Sequence, residues 1–419
     1  MKVAVVGGGS TYSPELVDGF GRVGERLGVE ELVLQDTDPD RLEVVGGAAQ
    51  RIARAHGFNG TLTLTTDLDA AVEGASAVLL QIRVGGQAAR FTDETIPLRC
   101  GCIGQETTGA GGFAKALRTV PVVLDIADRV RQLGAADAWI VDFTNPVGIV
   151  TRALLDHGHR AVGLCNVAIG FQRLFAEWLH VTPESVQLGH AGLNHLTWIR
   201  SVCVDGEEML PALLRRHGDE IAAHVELPRR IIDNLGAVPS YYLRYYYQHD
   251  LVVQELLESR SRAEEVMDVE RELLQLYRDP QLHDKPDLLM QRGGAYYSEA
   301  AINLLAGLFG DSADVQVVDV RNNGIIPELP ADTVIEIPAR VSAGGAEPLP
   351  VPALPPHQTG LIAHTAAYES LTAEAAVSGD REVAFRALLT HPLIGQSALA
   401  EQLLHDLLDA NRRFLPAFA

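Results

Sequence analysis

Apolar residues fall in short unbroken runs through the first part of the chain, at 2–6 (KVAVV), 32–35 (LVLQ), 77–82 (AVLLQI), 138–143 (AWIVDF) and 161–164 (AVGL). Between them apolar positions recur at helical spacing, as over 115–133. Short buried strands alternating with helices predict a parallel sheet with right-handed crossovers, so residues 1–165 read as an N-terminal doubly wound, Rossmann-like domain. Beyond that point the rhythm changes. Helical patterns at 207–225, 229–276 and 296–309 displace the strands, and alternation returns at 315–320 and 333–337. A Pro-rich passage (347–356) then leads into helical patterns at 360–378, 381–390 and 395–413. The chain is α/β throughout, with a second, mixed α/β domain expected over 166–419 and a site in the crevice between the two.

Composition narrows the roles open to such a fold. The 419 residues carry 34 Lys+Arg against 55 Asp+Glu, a net charge of -21. That surface repels phosphodiester backbones and anionic headgroups, so neither a nucleic acid nor a membrane is an expected partner. The opening MKVAVVGGGS has no signal-like apolar segment, and no run approaches the roughly 18 apolar residues of a membrane span, which predicts a cytoplasmic protein. Cys100, Cys102, Cys165 and Cys203 are too few and too irregularly spaced for a disulfide framework and are expected as free thiols.

Candidate chemistry begins at the first strand end. Gly7, Gly9, Ser10 and Thr11 form a glycine loop followed by Ser13-Pro14-Glu15, a hydroxyl cap, a proline and an acid that together start a helix. Such a loop lets backbone amides approach a pyrophosphate at a helix N-terminus. Asp36 closes the second strand, where an acid accepts from a ribose hydroxyl and disfavours a 2′-phosphate, so NAD is expected rather than NADP. The third fingerprint glycine is absent, its place taken by Tyr12. Residues 90–94 and 101–109 are dense in polar groups and glycine and read as a binding loop. Asn145 stands at the carboxyl edge of the sheet, either facing a ligand or capping its own turn. Cys165 and His195 can hold a divalent transition metal with positions left open, or can be inert core residues. Residues 239–247 concentrate five of the ten tyrosines, with Tyr242, Tyr245 and Tyr246 on one helical face. Arg262 either pairs within its acidic helix or meets an anion.

Together these residues resemble the family 4 glycoside hydrolases, in particular their 6-phospho-β-glucosidase branch. The motifs that carry the resemblance run the length of the chain: VVGGGSTYSPEL, GQETTGAGGFAKALRTVP, DFTNPVGIVT, GLCN, GLNHLTW, PSYYLRYYY, RGGAYYSEAA, NNGIIPELP and HPLIGQSALAEQLL. The family departs from the paired-carboxylate scheme of sugar hydrolysis and depends on NAD. The resemblance implies a lactate/malate dehydrogenase-like dinucleotide fold and a redox-assisted elimination. Hydride leaves C3 of the sugar for NAD, the C2 hydrogen becomes acidic, the aglycone departs from C1, water adds, and the hydride returns. It further implies a divalent metal, usually manganese, on Cys165 and His195. Tyr242 is then the base at C2, and Asn145 and Asn166 contact sugar hydroxyls. Arg262 meets the 6-phosphate, and Arg90 is a further substrate-site residue. Relatives in which Asp follows the metal-binding Cys act on α-linkages; Asn166 cannot donate a catalytic proton, which favours β-linked substrates. Ala168 stands where many β members have Pro. The partner implied is a phosphorylated sugar, and relatives assemble as homo-dimers or homo-tetramers. The readings set against this one are a family member acting on unphosphorylated, uronic or α-linked sugars, an NAD-dependent 2-hydroxy-acid dehydrogenase, and an NAD-sensing protein with a decayed site.

Overall fold

The computed structural model describes residues 1–294, 296–310 and 313–418; Ala295, inside the RGGAYYSEAA motif, lies outside them. Among the described residues, thirteen strands form one continuous sheet. They are β1 (Lys2–Val6), β2 (Glu31–Gln35), β3 (Thr61–Thr65), β4 (Ala77–Leu80), β5 (Trp139–Asp142), β6 (Ala161–Gly163), β7 (Val186–Leu193), β8 (Leu196–Val204), β9 (Glu207–Glu208), β10 (Val238–Pro239), β11 (Val315–Arg321), β12 (Val334–Ser342) and β13 (Gly345–Pro348). The order along the sheet is β10-β8-β7-β12-β11-β6-β5-β4-β1-β2-β3, with β13 on β12 and β9 on β8.

The six strands from β3 to β6 are parallel, and every residue of β4, β5 and β6 is buried, which is why they appear in the sequence as unbroken apolar runs. The sheet does not stop at residue 165. β11 joins β6 antiparallel, and β12 and the β7–β8 hairpin extend it further. Two expectations need correction. The stretch 229–276 is not one helical run: Gly236 ends a first helix, Pro239 lies in β10, and a capping box at Ser261–Glu264 starts the helix Arg262–Tyr277. Ser13 does not cap the first helix, which runs Ser13–Leu27; its hydroxyl accepts from Gln81 Nε2 at 2.9 Å.

One row of the sheet is unusual. Glu336 of β12 pairs with Asp319 of β11, Asp319 with Gly163 of β6, and Gly163 with Asp142 of β5, so three acids share a row and a face. Gly163 is required here: a Cβ would stand 2.3 Å from Thr151 Oγ1 and 2.9 Å from Asp319 Cβ, because the helix Val147–Asp156 lies across the row. Glu369, from the helix Pro356–Ser378, lies beside Gly148 and close enough to act on Asp319 electrostatically. All four acids are buried. Asp142 is held by the Thr144 amide (2.9 Å) and Thr151 hydroxyl (3.2 Å), while both oxygens of Asp319 lack a partner. Burial pushes Asp142 and Glu369 up to about 8, and burial with Glu336, Glu369 and Asp142 nearby pushes Asp319 well above the carboxylate range.

A carboxyl raised in the folded state stays protonated where the unfolded chain has already lost its proton. Stability therefore falls as pH rises from about 4 toward the folded pKa, by up to about 1.4 kcal/mol per pH unit for each group. Asp319→Asn removes one such group, and its melting temperature should fall less between pH 6 and pH 9 than that of the parent chain, as read by differential scanning calorimetry.

Candidate active site

The carboxyl ends of β1, β5 and β6 and the tip of the β7–β8 hairpin converge on one edge of this sheet. At β1, Gly7 adopts φ 92° and the Gly7 and Gly8 amides donate to Gln35 O at 2.9 and 2.7 Å. Gly9 N donates to Asp36 Oδ2 at 2.9 Å, and a Cβ on Gly9 would lie 2.8 Å from that oxygen, so a side chain there displaces the acid. Ser10 and Thr11 hydroxyls accept from Arg292 (3.2 and 2.7 Å), which also pairs with Glu270. Tyr12, standing for the missing glycine, is buried and donates to Gly294 O. The segment after residue 288 thus packs on the glycine loop, a contact that sequence spacing does not reveal.

At β5, Asn145 Oδ1 is buried and without a hydrogen-bond partner, while its neighbour's amide is taken by Asp142. The turn is held by Asp142 rather than by Asn145. At β6, Cys165 is buried, with Asn166 Oδ1 3.9 Å and Tyr297 Oη 4.0 Å from its Sγ. The Tyr297 ring stacks on Phe143, centroids 5.7 Å apart. Burial, with Glu336 nearby, drives the Cys165 thiol well up from its usual range.

His195 occupies the two-residue hairpin tip with φ 63°, a left-handed conformation uncommon outside glycine. Its ring lies flat against Tyr242, centroids 3.6 Å apart and planes 11° from parallel. Its Nδ1 is 3.0 Å from Thr107 Oγ1. Burial pulls His195 down to about 4, so the imidazole is neutral. Tyr242 is pushed well above the usual phenol range by burial first and then by Cys165, which is close enough to act on it electrostatically. Cys165, His195 and Tyr242 therefore share one buried pocket of chemistry. Glu336 holds the hairpin in place, accepting from His190 Nε2 and Asn194 Nδ2, each at 2.7 Å.

A basic cluster borders this group. Glu106 is clasped by Arg83, by Lys115 Nζ at 2.7 Å and by Arg90 at 3.4 Å. Burial opposes its charge, yet Arg83, Lys115 and Arg90 hold it well below the carboxylate range. Lys115 is drawn down to about 7 by burial and by Arg83. Arg90 also donates to Glu94 at 2.7 Å, and Glu94 accepts from the Ala263 amide at 2.8 Å, which places the start of the helix Arg262–Tyr277 beside the cluster. Arg262 itself is half exposed, paired with Glu265 at 2.8 Å and donating to Gln291 O at 2.6 Å. The intrahelical pair with Glu265 is formed.

The donor set suits a divalent cation. A buried thiol that resists ionisation in isolation becomes a coordinating thiolate when a cation supplies the missing charge, and an imidazole kept neutral already offers that cation a lone pair. Among the described residues no group of three or more His, Cys, Asp and Glu side chains assembles as a metal site.

Thr107, Glu106, Lys115, Glu336 and Tyr297 were not singled out from sequence as site residues. For the first two the polar, glycine-rich loop at 101–109 was the available signal; Glu336 and Tyr297 come together with Cys165 only through the fold.

Comparison with known proteins agrees with this geometry. A model of the family 4 glycosyl hydrolases matches residues 2–181, and a model of the family's C-terminal domain matches 190–394. A probable 6-phospho-beta-glucosidase of Bacillus subtilis is 39% identical over 100% of this chain and 98% of its own. The solved 6-phospho-beta glucosidase of Thermotoga maritima with NAD and glucose-6-phosphate superposes with a TM-score of 0.93, at 36% identity and 99% coverage of each chain; its form with manganese, NAD+ and glucose-6-phosphate gives 0.92. The malate dehydrogenase of Plasmodium falciparum, 13% identical with a TM-score of 0.55, shares the fold.

Removing the Glu106 charge leaves Arg83, Arg90 and Lys115 clustered without the anion they share. Glu106→Gln should destabilise the chain by about 3–5 kcal/mol, the usual cost of breaking a buried ion pair from one side, measurable by urea unfolding.

Proposed function

Since this chain belongs to the family 4 glycosyl hydrolases, we propose that it hydrolyses 6-phospho-β-glucosides, with NAD and a divalent cation, manganese, as cofactors. The observation that carries the reading is the stack of Tyr242 on His195 beside Cys165, at the sheet edge that also presents the Gly9–Asp36 loop. When bound, NAD takes up and returns a hydride at C3 of the sugar, and manganese stabilises negative charge on the sugar oxygens.

The chain's own residues do the rest. Cys165 Sγ and His195 hold the cation. Tyr242 Oη takes the C2 proton; burial alone opposes its phenolate, so its basicity depends on the positive charge brought in beside it. Asn145, whose side-chain oxygen is buried and unpartnered, and Asn166 bind sugar hydroxyls. Arg90 orders the substrate side of the pocket. Arg262 meets the 6-phosphate, exchanging its Glu265 partner for a doubly charged anion. Gly7, Gly9, Ser10, Thr11 and Asp36 bind the dinucleotide. An amide at Asn166 in place of an acid supports β-linked substrates, whose aglycone leaves without a proton from that position.

A cytoplasmic setting is supported by four free cysteines, one of them the proposed ligand, since a reducing compartment preserves a thiol. No helix among the described residues is long and apolar enough to cross a membrane. Assembly as a homo-dimer or homo-tetramer is part of the same proposal and rests on the family resemblance.

With NAD, manganese and nitrophenyl-β-glucoside 6-phosphate in deuterated water, the released sugar should carry deuterium at C2 and NADH should not accumulate. Steady NADH formation or absence of exchange would overturn the elimination. Cys165→Ser and His195→Ala should each lower turnover about a thousandfold or more while NAD binding persists, since a Lewis acid at developing charge is worth several kcal/mol. Gly9→Ala, by displacing Asp36, should weaken NAD binding about tenfold in calorimetric titration. Arg262→Ala should raise KM for phosphorylated substrates by about tenfold to a hundredfold, and leave unphosphorylated sugars unaffected.

A further inference from the structure

We propose that Thr107 is a positioning residue for His195, fixing the imidazole as its Nδ1–H tautomer and thereby presenting a bare Nε2 to the divalent cation. The inference rests on the reading of His195 as a ligand and follows from counting protons. Gln105 Oε1 receives the Thr107 amide at 2.6 Å, the Thr108 amide at 2.7 Å and the Thr107 hydroxyl at 2.8 Å. Two backbone N–H groups converge on this atom, so it is the amide oxygen and can only accept. The single hydroxyl hydrogen of Thr107 is therefore committed to Gln105. At its 3.0 Å contact with His195 Nδ1, the Thr107 oxygen has lone pairs to offer and no proton, so Nδ1 must donate. A metal-binding imidazole carries one ring proton, and here it is placed away from Nε2.

The local sequence explains how Thr107 comes to be there. The turn Gln105–Thr108 folds back on the helix Gly109–Leu133 that it precedes. Gly109 adopts φ 73°, and a Cβ on Gly111 or Gly112 would meet Gln105 O at 2.2 Å or Thr107 O at 2.5 Å. The glycines of GQETTGAGG thus allow a compact turn whose hydroxyl faces outward to a histidine 88 residues away in sequence. Tyr242 fixes the plane of the His195 ring, the hairpin backbone fixes its root, and Thr107 fixes its edge. Partners of a metal-bound histidine that hold the other ring nitrogen set ligand orientation and basicity and are worth about 10–100-fold in affinity.

Two measurements test this. In the metal-free chain labelled with 15N-histidine, with the His195 signals assigned by comparison with His195→Gln, long-range 1H–15N correlations should place the proton on Nδ1. A proton on Nε2 overturns the proposal irrespective of any metal. Titration with Mn2+ alone, followed by the loss of free-ion electron paramagnetic resonance, should show Thr107→Val weakened by about 10–100-fold, Thr107→Ser within about threefold of the parent, and NAD affinity retained in both. Wild-type Mn2+ affinity in Thr107→Val also overturns it, as does an equal loss in Thr107→Ser. If His195→Ala binds Mn2+ as tightly as the parent chain, the ligand assignment fails instead, and the tautomer measurement still judges Thr107.

Discussion

Glu336 ties the two unlike parts of the sheet together at the place where the chemistry lies. Its carboxylate receives His190 and Asn194 from the β7–β8 hairpin while its own strand pairs with Asp319 on β11, which in turn leads to β6 and Cys165. His195 follows Asn194 directly and sits in a left-handed conformation that costs about 1–3 kcal/mol outside glycine. Such a conformation persists when its surroundings over-determine it. Here the determinants are a two-residue turn, a buried carboxylate beneath it, a tyrosine face on one side and a threonine hydroxyl at the edge. Without the anchor at Glu336, the distance between Cys165 and His195 would be set by a free hairpin tip rather than by the sheet.

Two buried charge systems flank this anchor, and they solve the cost of burial differently. On the Asp319 side, Asp142, Asp319 and Glu369 lie close together with little compensation, and protonation is the cheaper state for them, as their raised pKa values show. On the Glu106 side, one acid is surrounded by Arg83, Arg90 and Lys115 and stays ionised. The result is a site with a positive border and a largely neutralised floor, inside a chain of net charge -21. A phosphorylated sugar and a dinucleotide are both anions, and they meet local positive charge in spite of the global field.

How much of this the sequence discloses depends on the range over which each feature acts. Central parallel strands are buried on both faces and stand out as apolar runs; the glycine loop and Asp36 are near neighbours along the chain and stand out with them. β3 escaped because TLTLT is a partly exposed edge strand whose threonines look like loop. The β7–β8 hairpin escaped because its tip, LNHL, carries no Asn-Gly or Asp-Gly signal and a histidine fills the left-handed position. The 229–276 stretch looked continuous because Gly236 and the Ser261 cap are short punctuation within strong helical patterns. Cys165, His195 and Tyr242 were legible as residue types and through the three family motifs they lie in. Their supports were not: Thr107, Glu336 and Tyr297 act on residues 88, 142 and 132 positions away.

The same geometry bears on how protons move. A hydrolase working through paired carboxylates needs an acid poised near the leaving oxygen. Beside Cys165 this chain places the amide of Asn166 and the hydroxyl of Tyr297, the latter driven far above the usual phenol range by burial. Of the nearby acids, Glu106 is committed to three cations and Glu336 to the hairpin, while Asp319 is fully buried within the strand row. On the proposed reading the pocket offers Tyr242 instead, a phenol whose basicity rises when positive charge arrives next to it. On that proposal the site is silent until its cation is in place, and the proton most easily moved is then one that a neighbouring carbonyl has already made acidic. That is the demand of an elimination, and it explains why residues that hold and orient outnumber those that donate.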